Sequence, residues 1–292
     1  MSQSWSIEAP QRIELDGPVR SVKLNAVACR FNVIGTKSGE IGNGGEPEDA
    51  PPQGANPVLE VTKVVGPPLD VTLEDGHLVI RHRALGQSNM FGWLFGHNRM
   101  EVELTLAVPA DCATRVNIVS GSVVASALRR DVSIRTVSGD VTLAGLSGGT
   151  RAETVSGTIT AEQVVGDLRV NAVSGSITVI AGAGRAIDLS AVSGTIALDL
   201  ENPMPRSVKV NCVSGSITAR LPYKPDVTVD VKASNGRATS AFPELSVERV
   251  HNSQHLAGSL GTGSARLSGH IMSGAVTLLR RDADDEEPAD AV

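Results

Sequence analysis

The stretch NAVSGSITV, residues 171–179, decides the fold. Its central Val173-Ser174-Gly175 admits two readings: a nucleophilic serine beside a glycine amide, or a turn between two strands. The same tripeptide recurs at Val119-Ser120-Gly121, Val137-Ser138-Gly139, Val155-Ser156-Gly157, Val192-Ser193-Gly194 and Val213-Ser214-Gly215, with successive serines 18, 18, 18, 19 and 21 residues apart. Degenerate copies stand at Ala233-Ser234-Asn235-Gly236 and Met272-Ser273-Gly274. A nucleophile needs one environment, whereas repetition at near-constant spacing marks a structural unit.

The residues around the tripeptide alternate. Leu168, Val170 and Ala172 take every second place before it, and Ile177 and Val179 do so after it. Period two predicts strands with one buried face. The register repeats with Val132, Ile134 and Thr136, then Val141 and Leu143, and again with Val208, Val210 and Cys212, then Ile217 and Ala219. Each unit therefore reads as strand, tight turn, strand, loose turn. The glycines Gly121, Gly139, Gly157, Gly175, Gly194 and Gly215 are expected to supply a positive φ at the turn. Ser120, Ser138, Ser156, Ser174, Ser193 and Ser214 are expected to stack into a ladder that satisfies turn backbone groups. The preceding valines stack at the corner.

One such unit cannot bury its own apolar face. Stacking equivalent strands about 4.8 Å apart closes the core, and the loops are too short for crossover helices. The predicted fold is all-β, a parallel β-solenoid with 18–21 residues per coil, right-handed by the crossover rule, with a less regular N-terminal β cap. Three regions follow: a cap over 1–110 with a mobile Gly/Pro-rich loop at 36–57, the repeats over 111–281, and a disordered acidic tail at 282–292. Within the cap, strand-like runs start at Arg12, Val22, Arg30, Val58, Leu69, Leu78 and Glu101, and Glu74-Asp75-Gly76 predicts a hairpin turn. Residues 242–260 read as an irregular excursion, and residues 265–267 and 275–279 as a final strand pair.

Composition narrows the function. The chain has 292 residues, a net charge of −6 and only 2% aromatics, so its core is aliphatic and nucleic acid is a poor partner. Cys29, Cys112 and Cys212 show neither a disulfide framework nor zinc spacing and read as buried small hydrophobes. No secretory leader and no apolar run of membrane-spanning length is visible, which points to the cytoplasm, with the inner membrane surface as a peripheral site.

The V-S-G-[ST]-I-T units, with DVTLEDGHLVIR at 70–81 and VELTLAVP at 102–109, resemble the bacterial β-strand-repeat family known as "putative adhesin", a domain of unknown function. The resemblance spans about residues 15–281. It implies a β-helix and no catalytic residues, and some relatives are linked to the envelope and its stress responses.

Candidate sites are few. Phe91, Trp93, Leu94 and Phe95 form an aromatic segment between Arg81-His82-Arg83 and His97-Asn98-Arg99, a pattern suited to a membrane surface or a partner groove. Hydroxyl residues such as Thr158, Thr160, Ser176 and Thr178 form the outward row of the second half-strands, where threonine also suits exposed sheet. His251 and His255 are four apart but lack a third ligand. No Ser-His-Asp set, cofactor fingerprint or paired carboxylates emerge. The reading is a non-enzymatic solenoid scaffold or binding module that presents flat faces and an aromatic segment to a protein or to the inner membrane surface. Filament formation by self-association and a carbohydrate-binding or carbohydrate-active β-helix are the alternatives.

Overall fold

The computed structural model describes residues 2–36, 56–82 and 100–282. Among them there are seventeen strands and no helix. The chain is a parallel β-solenoid and divides into two compact units, residues 1–150 and 151–292.

The first unit contains β1 (Ser2–Ile7), β2 (Gln11–Glu14), β3 (Ser21–Thr36), β4 (Val58–Val65), β5 (Leu69–Glu74), β6 (His77–His82), β7 (Glu101–Pro109), β8 (Ala113–Ser126) and β9 (Val132–Ala144). β3, β8 and β9 are long parallel strands in unbroken repeat register, so β3 already forms a coil. On the other side of β3 the rung is shared. β6 pairs with residues 21–25 and β7 with residues 29–36, both parallel. Antiparallel strands lie beyond this rung: β5 and then β1 next to β6, and β4 and then β2 next to β7. The β5–β6 turn has Asp75 at φ 49° and Gly76 at φ 82°, the doubly left-handed pair that a two-residue hairpin needs. Strand β1 escapes a reading of apolar runs, because only Trp5 and Ile7 mark its inner face amid serines.

The second unit contains β10 (Thr150–Glu162), β11 (Leu168–Ile180), β12 (Ala186–Asp199), β13 (Ser207–Leu221), β14 (Val227–Ser240), β15 (Ser246–Val250), β16 (Ser253–Leu260) and β17 (Ala265–Arg280). Three expectations are corrected here. First, each repeat is one continuous strand. Ser174 pairs with Ser193 and Gly175 with Gly194, so the ladder runs straight through the predicted turn. The buried set is Leu168, Val170 and Ala172 before the glycine and Ile177 and Val179 after it, moving from even to odd positions. A uniformly pleated strand cannot change phase. Gly175, at φ 144°, absorbs the change as a bend within the strand.

Second, residues 242–260 are not irregular throughout. β15 and β16 form an antiparallel pair against β14. Gln254 hides the alternation by putting a polar side chain in an inward slot, where its Oε1 accepts a hydrogen bond from the Ala238 amide at 2.7 Å. Third, the last strand pair is a single strand, and it does not stack last. β17 lies between β13 and β14, parallel to both.

The loose turns between coils place one residue in the left-handed region: Ala127 at φ 55°, Gly145 at φ 60°, Gln163 at φ 52° and Ala181 at φ 51°. Only one of these is glycine. A side chain there costs about 1–2 kcal/mol, partly offset by the 0.5–1 kcal/mol of entropy that a glycine loses on folding. Gln163 is exposed and its amide donates to the Ile180 carbonyl at 3.0 Å, an interaction that glycine keeps. Gln163→Gly is therefore expected to stabilise the chain by about 0.5 kcal/mol, read as a higher midpoint in urea unfolding. A lower midpoint would count against the strain.

Cys29, Cys112 and Cys212 are free and buried, as expected. Burial pushes the thiols of Cys29 and Cys112 up to about 12, so both stay protonated and inert at neutral pH.

Candidate functional site

The bend puts two consecutive residues outside the core. Ala172 and Ile177 point inward, and Val173 and Ser174 are both exposed. The ladder pairs Ala172 with Ala191 and then Ser174 with Ser193, skipping the valines. The valines therefore stand on the outside of the corner. In the second unit Val155, Val173, Val192, Val213 and Met272 are each 43–54% exposed, on the successive strands β10, β11, β12, β13 and β17. With strands about 4.8 Å apart, they make an apolar column roughly 19 Å long. On β14 the column ends in Ser234, which is exposed and hydrogen-bonded to His270. Val119 and Val137 hold the same corner in the first unit, while Val27 and Cys29, at the corner of β3, are buried.

The serines of the predicted ladder pair in register, and so do the glycines, at φ 123–146° for the six full copies from Gly121 to Gly215. Ser120 Oγ donates across to the Val27 carbonyl of the neighbouring strand at 3.4 Å. No activated serine emerges among the described residues. Nor is there a cluster of three or more potential metal-ligating side chains among the described residues. His255 lies on a strand, and its Nε2 is 2.9 Å from Asp230 Oδ1. His251 lies in the β15–β16 turn at φ 53°. Thr160, Thr178 and Thr218 face outward on the second half-strands, as predicted, and Thr277 on β17 does the same.

The aromatic segment Phe91, Trp93, Leu94 and Phe95 lies outside the described residues. The strands on either side of residues 83–99 are described. β6 ends at His82 opposite Leu69, and β7 pairs from Cys29 onward, so the chain leaves and re-enters the shared rung at the corner. His82 is 1% exposed, with Nε2 3.1 Å from the Pro67 carbonyl oxygen. Burial lowers its pKa, and at neutral pH the ring is uncharged.

Repeated parallel strands, an aliphatic core and a glycine corner define a β-solenoid. Within that class the chain belongs to the Toastrack DUF4097 family, whose model matches residues 70–279. The chain is similar to a putative adhesin from Parabacteroides distasonis, at 18% identity, covering 96% of this chain and 97% of that one with a TM-score of 0.43. It is also similar to a putative cell adhesion protein from Clostridium sporogenes, at 11% identity, 93% and 100% coverage and a TM-score of 0.30. A putative lipid binding protein from Parabacteroides distasonis is 11% identical, with 93% and 97% coverage and a TM-score of 0.37. No curated protein shows significant similarity to the chain.

Proposed function

We propose that the chain is a non-enzymatic docking module that uses its glycine corner to hold a membrane surface or an apolar groove on a partner protein. The column of half-exposed valines carries this reading. Valine at the corner does no core work, and a soluble sheet surface would ordinarily place polar residues there. Magnitudes show that the column needs help. Burying the exposed part of one such side chain contributes on the order of 1 kcal/mol, and the four valines with Met272 together on the order of 5 kcal/mol. Association alone costs about 4–15 kcal/mol. A second apolar contact is required, and Phe91, Trp93, Leu94 and Phe95 supply the side chains for it. Self-assembly into filaments is the weaker reading, because β16 and β15 add antiparallel strands beyond β14, and a parallel coil continues poorly on an antiparallel edge.

The test uses two variants. One carries Val173→Thr, Val192→Thr and Val213→Thr, which keeps β-branching and removes apolar surface. The other carries Trp93→Ser and Phe95→Ser. Both are expected to melt like the parent protein. In co-sedimentation with anionic vesicles and in affinity capture from the native cell, each is expected to lose most of the binding seen with the parent. Undiminished binding by both variants in both assays would overturn the proposal.

A further inference from the structure

A second surface, on the outward face of the first half-strands in the second unit, is built differently. Lys209 and Asn211 on β13, Ser268 and His270 on β17, and Asp230 and Lys232 on β14 line one depression of about 230 Å³. The depression exists because β17 places the short Ser268 between Lys209 and Asp230, its register partners on the two neighbouring strands.

The charges on this face are paired except at the depression. Arg151 pairs with Glu153 at 2.8 Å and Arg169 with Asp188 at 3.2 Å. Asp230 Oδ1 lies 2.9 Å from His255 Nε2 and Asp230 Oδ2 lies 3.6 Å from Arg266, so this carboxylate already has partners of its own. Among the described residues, neither Lys209 nor Lys232 forms an ion pair, and Asn211 makes no side-chain hydrogen bond. A chain with a net charge of −6 thus keeps two ammonium groups outside any ion pair around one concavity, with Lys232 lending favourable charge to Asp230 beside it.

We propose that this depression binds a phosphomonoester of headgroup size, with its phosphate between Lys209 and Lys232. β13 and β14 flank β17, and Lys209 and Lys232 sit two residues apart in register, opposite Ser268 and His270, so their backbones stand about 12 Å apart on the diagonal, within the joint reach of two four-carbon stems. Two ammonium groups match a dianion, whereas a single carboxylate leaves one of them unmatched. The volume exceeds that of a bare phosphate. The remainder suits a glycerol- or sugar-sized group, which Asn211, Ser268 and His270 can meet with hydrogen bonds. The phosphate could come from a free metabolite or from a lipid headgroup.

Calorimetric and NMR titrations of the full chain with sn-glycerol 3-phosphate, and sedimentation with phosphatidylcholine vesicles with and without phosphatidic acid, separate the two sources. Glucuronate serves as the single-carboxylate control. Saturable binding in at least one phosphate arm is expected, with the His270 ring resonances shifting. Lys209→Met and Lys232→Met are each expected to weaken it about tenfold, and the double variant to abolish it without a change in melting. The Val173→Thr/Val192→Thr/Val213→Thr variant is expected to retain it, which keeps this site distinct from the corner. No saturable binding in either phosphate arm, equal binding by the double Lys variant, or glucuronate binding as tightly as the phosphomonoester would overturn the proposal.

Discussion

Gly175→Ala is expected to destabilise the second unit by about 3–5 kcal/mol, whereas its neighbour Ser174→Ala should change stability by less than about 0.5 kcal/mol. Two effects add at the glycine. Its φ of 144° is one that side chains rarely adopt. A Cβ there would also stand 1.9 Å from the Gly157 carbonyl oxygen and 2.9 Å from its carbon, both rigid backbone. The same contact repeats at 1.8 Å between Gly194 and Gly175 and between Gly215 and Gly194, so the strands cannot part at one rung without parting at the next. Gly17 separates the two effects. It has φ 125° and nothing within 4 Å of an added Cβ, so Gly17→Ala should cost only the dihedral strain, about 1 kcal/mol. Urea unfolding of the three variants measures the ordering. Equal losses for Gly175→Ala and Gly17→Ala would show that close approach contributes nothing.

Asp199→Ala is expected to cost about 3 kcal/mol, through the guanidinium it leaves behind. Arg281 follows β17 with its side chain only 9% exposed, and it donates to Asp199 at 2.7 Å and to Glu201 at 3.0 Å. Arg220 on β13 grips the same carboxylate through Nε at 3.0 Å and through a second nitrogen. Removing Asp199 leaves Arg281 with only the half-exposed Glu201. Burial pushes the Asp199 carboxyl up, but hydrogen bonds and charge from Arg220 and Arg281 outweigh it and hold it below the ordinary 3.8. A carboxyl with a depressed folded-state pKa stabilises fully above its unfolded value and loses that contribution as pH falls through the folded one. The acid limb of a stability-versus-pH curve, starting below about 4, should therefore flatten in Asp199→Ala relative to the parent. An unchanged acid limb would remove the cluster from the account of acid unfolding.

Much of the coil was legible from Leu168, Val170 and Ala172 against Ile177 and Val179. The even-to-odd switch is visible in the letters and requires the chain to bend at Ser174-Gly175. Whether that bend is a turn or a kink inside one strand is not, because both produce the same alternation. The exposed valine was half legible. Val173 directly follows the inward Ala172, so it cannot share its face, but only the structure shows that nothing in the second unit packs over it. The lysine depression was not legible. It depends on Ser268 lying next to Lys209, and these residues are 59 positions apart in a chain whose repeats otherwise pair with their sequence neighbours. Spacing gives the period of a stack and is silent about its order.

That order bears on synthesis. A ribosome delivers β13, then β14, β15 and β16, and only afterwards the residues of β17 that separate β13 from β14. Coil-by-coil growth in step with translation can therefore proceed no further than β13. β14, β16 and β15 can pair with one another, but they join the stack only when residues 265–280 arrive to take the rung between β13 and β14. The later strand closes the stack between two earlier ones, and nascent chains stopped short of Ala265 would carry two unpaired strand edges for quality-control factors to bind.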